Sequence, residues 1–191
     1  MNAPTTRFLI AGETATIRDA VSEVLATRGL PVDAASYAHA AMLLDGEGRA
    51  SLVVIPTFRH DDHSDAWSRI AAELTRNFEL IQQYVCRAIE QRSGGHVVAL
   101  LPAGAAMGDA SDTPASALSG GMLSLFRTLA LELRKLDMTV NTILYEVGGD
   151  GIAYTAEVAA LLTTLTAQAN GAITGQEIYA CNGNDAGRLH P

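Results

Sequence analysis

At 191 residues, with 48% hydrophobic and 18% charged content, the chain can enclose one sizeable core, and a single domain over residues 1–191 is the expectation. Seventeen glycines and 5% aromatics suit an Ala/Leu/Val-rich α/β protein and exclude a disordered chain or a disulfide scaffold. A net charge of −8 without any Lys/Arg cluster argues against a nucleic-acid partner.

The opening run Arg7 to Ala11 predicts a strand, and Ile17, Ala20, Val21, Val24 and Leu25 recur at helical spacing up to Arg28. Gly29 is the expected helix stop, and Pro31 to Ala35 predicts a second short strand. A short helix over Ala38 to Leu44 follows, then Gly46 and Gly48, then a buried-type strand from Ser51 to Ile55. A long helix is predicted over Asp65–Gln91, capped by Ser64 or Asp65, with Ile70, Leu74, Phe78, Ile81, Val85 and Ile89 on its apolar face. Ser93-Gly94-Gly95 stops it. His96 to Leu101 is a predicted strand, Ala115–Leu136 a second long helix and Thr139 to Tyr145 a strand. A helix around Thr155 to Ala169 and a strand near Glu177 to Ala180 close the chain. Strands alternating with helices imply a three-layer, doubly wound parallel sheet.

The apolar runs fall short of the roughly 20 residues a membrane helix needs, and Met1 to Phe8 lacks the basic and apolar regions of a signal peptide. A cytoplasmic protein with no membrane partner is the expectation. Cys86 and Cys181 have neither a CxxC nor a zinc-ligand spacing, so thiols without assigned chemistry are expected. His60-Asp61-Asp62-His63 offers metal-like ligands close together, but it precedes a helix, where acidic residues suit the positive end of the dipole. The structural reading is preferred, and no metal is assigned. Ser119 before Gly120-Gly121 lacks the glycine two positions earlier that a hydrolase nucleophile elbow requires. The tyrosines, His39 and His96 carry no pattern that marks an activated group, and packing is the expected role.

Three stretches in order carry a family resemblance. Ser116 to Thr142, SALSGGMLSLFRTLALELRKLDMTVNT, is similar to the active-site helix and following "VN" strand of the short-chain dehydrogenase/reductase family. Ile173 to Tyr179, ITGQEIY, resembles that family's segment before its last strand, and Gly12 and Gly29 stand where the family keeps glycines. The resemblance implies a Rossmann-like fold, here shortened by about one βα unit between Gly29 and Ser51. It also implies that no substrate lid is inserted between Glu146 and Tyr154.

The resemblance also shows what is lost. The family's glycine turn lets the backbone approach a cofactor pyrophosphate. Here the turn keeps Gly12 but carries Thr16 and Arg18 at the other two glycine positions, and Ser36 stands where an acidic residue often holds the ribose. Arg18 can pair with phosphate, which keeps a nucleotide-binding regulator or a relocated NAD(P)-dependent oxidoreductase open as the alternative. The family's catalytic Asn, Ser, Tyr and Lys fall on Leu74, Pro102, Ala115 and Ser119. A shifted alignment does not restore the Tyr-x-x-x-Lys pair, because Lys135 is the one lysine and Leu131 precedes it by four. The resemblance therefore implies a catalytically inactive subunit with no cofactor. Its expected partner is an active relative or a second copy, met through the two long helices with Leu80, Tyr84, Ala88, Met122, Phe126, Leu129 and Leu133 at the interface.

Overall fold

The computed structural model describes residues 7–44, 50–57, 65–148, 151–167 and 172–182. Among them, β1 (Arg7–Ala11), β2 (Val32–Ala35), β3 (Ala50–Val54), β4 (Gly95–Pro102), β5 (Met138–Tyr145) and β8 (Glu177–Ala180) form one sheet ordered β2-β1-β3-β4-β5-β8. Every neighbouring pair in it is parallel. Helices α1 (Ala15–Thr27) and α6 (Thr155–Leu165) cover one face, and α2 (Tyr37–Leu43), α3 (Ala66–Gln91) and α5 (Thr113–Leu133) cover the other. Covered on both sides, β5 is buried at every position, which is why these strands read as near-continuous apolar runs. This is a doubly wound α/β fold of the Rossmann type. One βα unit separates α1 from β3, so β2 forms a sheet edge. The chain order reverses between β1 and β3.

The predicted signals act as caps. Gly29 adopts φ +76°, its N–H bonding Ala26 O while the Leu30 N–H bonds Leu25 O, which closes α1. Asp65 caps α3 by accepting from the Ser68 N–H at 3.1 Å. Asp112 does the same for α5 through the Ala115 N–H, also at 3.1 Å, with Pro114 in the first turn. Two elements were not anticipated. The single-turn helix α4 (Ala103–Met107) is too short to show a period. The hairpin of β6 (Val147–Gly148) and β7 (Gly151–Ile152) has two-residue strands. Helix α5 also ends at Leu133, three residues early, where the chain tightens through a Leu136 N–H to Leu133 O turn.

The two family-like stretches meet in one clasp. Asn141, buried in β5, donates from its amide to Ile173 O at 2.9 Å and accepts the Gln176 N–H at 3.0 Å. The Gly175 N–H, at φ +72°, bonds Val140 O at 2.7 Å. The clasp sets the register in which β8 joins β5. It is structural work, independent of any cofactor.

Two expectations about the long helices are corrected. The buried face of α3 comprises Ile70, Glu73, Asn77, Leu80, Ile81, Tyr84, Val85 and Ala88, whereas Phe78 and Ile89 are exposed. The proposed interface residues Leu80, Tyr84, Ala88, Met122, Phe126, Leu129 and Leu133 are all buried inside one chain, packed in the core beneath α3 and α5. What looked like surplus apolar surface on α5 is the wide face a helix needs where it lies over two central strands.

Tyr84 fixes the strand entry. Its phenol oxygen accepts the His96 N–H at 3.0 Å and fills the space where a Gly95 Cβ would stand. Gly95→Ala pushes that buried ring aside and is expected to cost about 1–3 kcal/mol, read as a lower urea midpoint.

Candidate functional site

A cleft of about 470 Å³ lies at the carboxyl ends of β3, β4 and β5, the position where ligands enter open α/β sheets. Pro56 and Thr57 after β3, Pro102, Gly104 and Ala105 around α4, and Asp109 and Asp112 ahead of α5 form one side. Ala115, Leu118 and Ser119 of α5 and Tyr145, Glu146 and Val147 after β5 complete it. The structure thus brings together Pro102, Ala115 and Ser119, three of the four positions to which the resemblance assigned catalytic residues. The fourth, Leu74, is not among the lining residues and lies over Gly121, where an added Cβ would be 3.0 Å from its Cδ2. None of these side chains can serve as a general acid or base of the kind the family's chemistry needs.

Tyr145, Glu146, Asp109 and Asp112 were missed as cleft residues. Burial pushes the Tyr145 phenol well above its ordinary range, so it stays neutral. Glu146 accepts from the Asn182 N–H at 3.0 Å and from its side-chain amide at 3.3 Å. The signal that could have found the pair is their place at the end of a fully buried central strand.

The turn after β1 has been rebuilt for packing. Gly12 lies so close to Ile55 that an added Cβ would be 3.0 Å from the Ile55 Cβ. Arg18 bends back, its guanidinium donating to Gly12 O at 3.1 Å and to the Asp19 carboxylate at 2.8 Å. Thr16 meets the β6–β7 hairpin: a Cβ at Gly151 would stand 2.9 Å from Thr16 Cγ2. Ser36 caps α2 through the His39 N–H. The hairpin and Arg18 thus both touch the turn, while Ala15 and Thr16 of the first turn of α1 stay exposed. Thr16 and Arg18 put side chains where the resemblance places glycines, at the helix end that a dinucleotide pyrophosphate would approach.

Beside this turn, Glu13, Tyr37, Glu73, Arg76 and Asn77 form a largely buried polar network. The Tyr37 hydroxyl donates to Asn77 Oδ1 at 2.8 Å, and Asn77 Nδ2 donates to Glu73 O at 2.8 Å. Arg76 pairs with Glu73 at 2.8 Å and lies 5.7 Å from the centre of the Tyr37 ring. Burial raises the Glu73 carboxyl above the usual carboxylate range despite Arg76. It also raises the Tyr37 phenol, with the Glu73 charge adding to the effect.

Among the described residues no group of three or more His, Cys, Asp or Glu is placed to hold a metal ion, and the His60 to His63 cluster lies outside them. No helix among them is long and apolar enough to cross a membrane. Cys86 and Cys181 are free.

No protein-family model matches the chain, and no curated protein matches it in sequence. Solved structures do. An acetoin dehydrogenase from Enterobacter cloacae superposes with a TM-score of 0.74 at 18% identity, covering 94% of this chain and 96% of that one. An acetoin dehydrogenase from Salmonella typhimurium gives 0.71 at 16%, covering 92% and 95%. An actinorhodin polyketide ketoreductase with NADPH gives 0.70 at 16%, covering 96% and 98%. At such identities the likeness establishes the fold alone, a Rossmann-like α/β sheet.

Proposed function

We propose that this chain is a non-catalytic subunit of short-chain dehydrogenase/reductase type, a structural partner of an active relative or of a second copy. The observation that carries the reading is the packing of Gly151 and Arg18 over the first turn of α1, where the family's cofactor phosphates would sit. Pro102, Ala115 and Ser119 in the cleft support it from the catalytic side. A specific candidate of this kind is the inactive subunit of the heteromeric 2-[hydroxy(phenyl)methyl]succinyl-CoA dehydrogenase.

The partner surface follows from what the helices leave exposed. Leu74 lies over Gly121 of α5, and Trp67, Phe78 and Ile89 share its flank by helical spacing. Trp67 is 67% exposed, and on α5 Leu131 is 65% exposed, two to three turns along from the exposed small residues Ser124 and Gly120. Apolar side chains next to a small-residue strip suit close helix-on-helix contact, and this face replaces the buried set named from the sequence.

Titration of the full chain with NADH and NADPH by calorimetry tests the reading, with no heat of binding expected. Ala115→Tyr combined with Ser119→Lys is expected to show no dehydrogenase turnover, because Pro102, Leu74 and the turn carrying Thr16 and Arg18 remain. Micromolar binding, or turnover by the double variant, would favour the alternative of a nucleotide-dependent enzyme or regulator.

A further inference from the structure

The cleft is more than a remnant. Ser119 is 3% exposed and Tyr145 2%, both line it, and neither hydroxyl has a hydrogen-bond partner among the described residues. Neither oxygen is sealed in the core among the described residues, so both open into the cleft and can hydrogen-bond a group that enters it. Charge narrows the choice. The described lining includes the carboxylates of Glu146, Asp109 and Asp112 and no basic side chain. Glu146 takes its hydrogen bonds from neutral donors of Asn182, which orient the carboxylate without neutralising it. Pro56, Pro102 and Leu118 supply apolar wall. At about 470 Å³ the space falls in the range of small-molecule sites.

We propose that the cleft binds a small organic ammonium ion, its apolar body against Pro56, Pro102 and Leu118, its charge on Glu146 and its polar hydrogens shared with Ser119 and Tyr145. Binding requires no cofactor, because none of these contacts involves the turn after β1. Carboxylate and phosphate compounds are disfavoured by the Glu146 carboxylate. The proposal stands apart from the subunit reading, since an amine site is compatible with either a scaffold or an enzyme.

Calorimetry of the full chain with phenethylamine and butylamine, against phenylacetate as the charge-reversed control, tests it. The amines are expected to bind with dissociation constants below about 1 mM, more weakly at high salt, and phenylacetate not at all. Ser119→Ala and Tyr145→Phe break no existing hydrogen bond, so both should fold, as thermal melting will report. Each should weaken amine binding about 3–10-fold, the loss expected for one hydrogen bond. Glu146→Gln should weaken it by about 10-fold or more. Absence of amine binding up to about 10 mM overturns the proposal. So does equal binding of phenylacetate, or unchanged affinity in all three folded variants.

Discussion

Phe126→Asp is expected to unfold the chain, not to separate it from a partner. Phe126 is buried in the core beneath α5, in the same cluster as Met122, Leu129 and Leu133, with no cation among that cluster's members to receive a carboxylate. The substitution removes about 1.5–3 kcal/mol of apolar burial and adds the larger penalty of an unpaired buried charge. Together these reach about 5 kcal/mol or more, comparable with the whole stability of an ordinary domain. Phe78→Asp with Leu131→Asp has the opposite signature. Both side chains are exposed, so folding stability should change by only about 0.5 kcal/mol per site. Any helix-mediated assembly should nevertheless dissociate, since a charge is placed in its apolar centre. Far-UV circular dichroism and sedimentation velocity on the two variants separate the cases. A folded, monomeric Phe126→Asp chain beside an intact assembly of the double variant would reverse the assignment of the two faces.

This contrast also shows where the sequence is legible. Helices α3 and α5 and strands β4 and β5 are long, periodic or continuously apolar, and Asp65 and Gly29 mark helix ends through side-chain or backbone chemistry visible in the letters alone. The facing of α3 was not legible, because its buried side includes Glu73 and Asn77. Their polarity is satisfied by Tyr37 and Arg76, contacts a hydropathy pattern cannot reveal. An apolar stripe drawn through Phe78 and Ile89 was therefore rotated towards solvent. For the cleft, Pro102, Ala115 and Ser119 were reachable because the family resemblance gave their register. Tyr145 and Glu146 carry only a weak signal, their place at the end of β5, which a tyrosine that merely packs shares. The rebuilt turn was half legible: Thr16 and Arg18 announce lost glycines, while the hairpin that brings Gly151 onto Thr16 has strands of two residues and no signal of its own.

Asn77→Asp is expected to destabilise the chain by about 3–5 kcal/mol at pH 8 and by much less near pH 4. The native amide has no exposed surface, accepts from the Tyr37 hydroxyl and donates to Glu73 O at 2.8 Å and Glu73 Oε1 at 3.4 Å. An aspartate keeps the acceptor for Tyr37 but replaces both donations with oxygen facing oxygen. Ionised, it also puts a second carboxylate against Glu73, whose own carboxyl burial already holds above the usual range, and among the described residues Arg76 is the cation paired with Glu73. The sign of the pH effect follows from linkage. A carboxyl raised above its unfolded value near 4 holds its proton longer in the folded state, so stability is retained below that value and lost as pH rises through the raised one. Wild type shares a weaker form of this slope through Glu73, and the gap between the two proteins should widen with pH. At about 2–4 °C per kcal/mol for a chain of this size, the thermal midpoint should fall by roughly 6–20 °C at pH 8. Urea unfolding of both proteins at pH 4.5 and pH 8 provides the measurement. A loss that is the same at both values would mean that the introduced carboxyl is solvated or fully paired, and that the Tyr37, Asn77 and Glu73 network is not the closed, buried cluster described above.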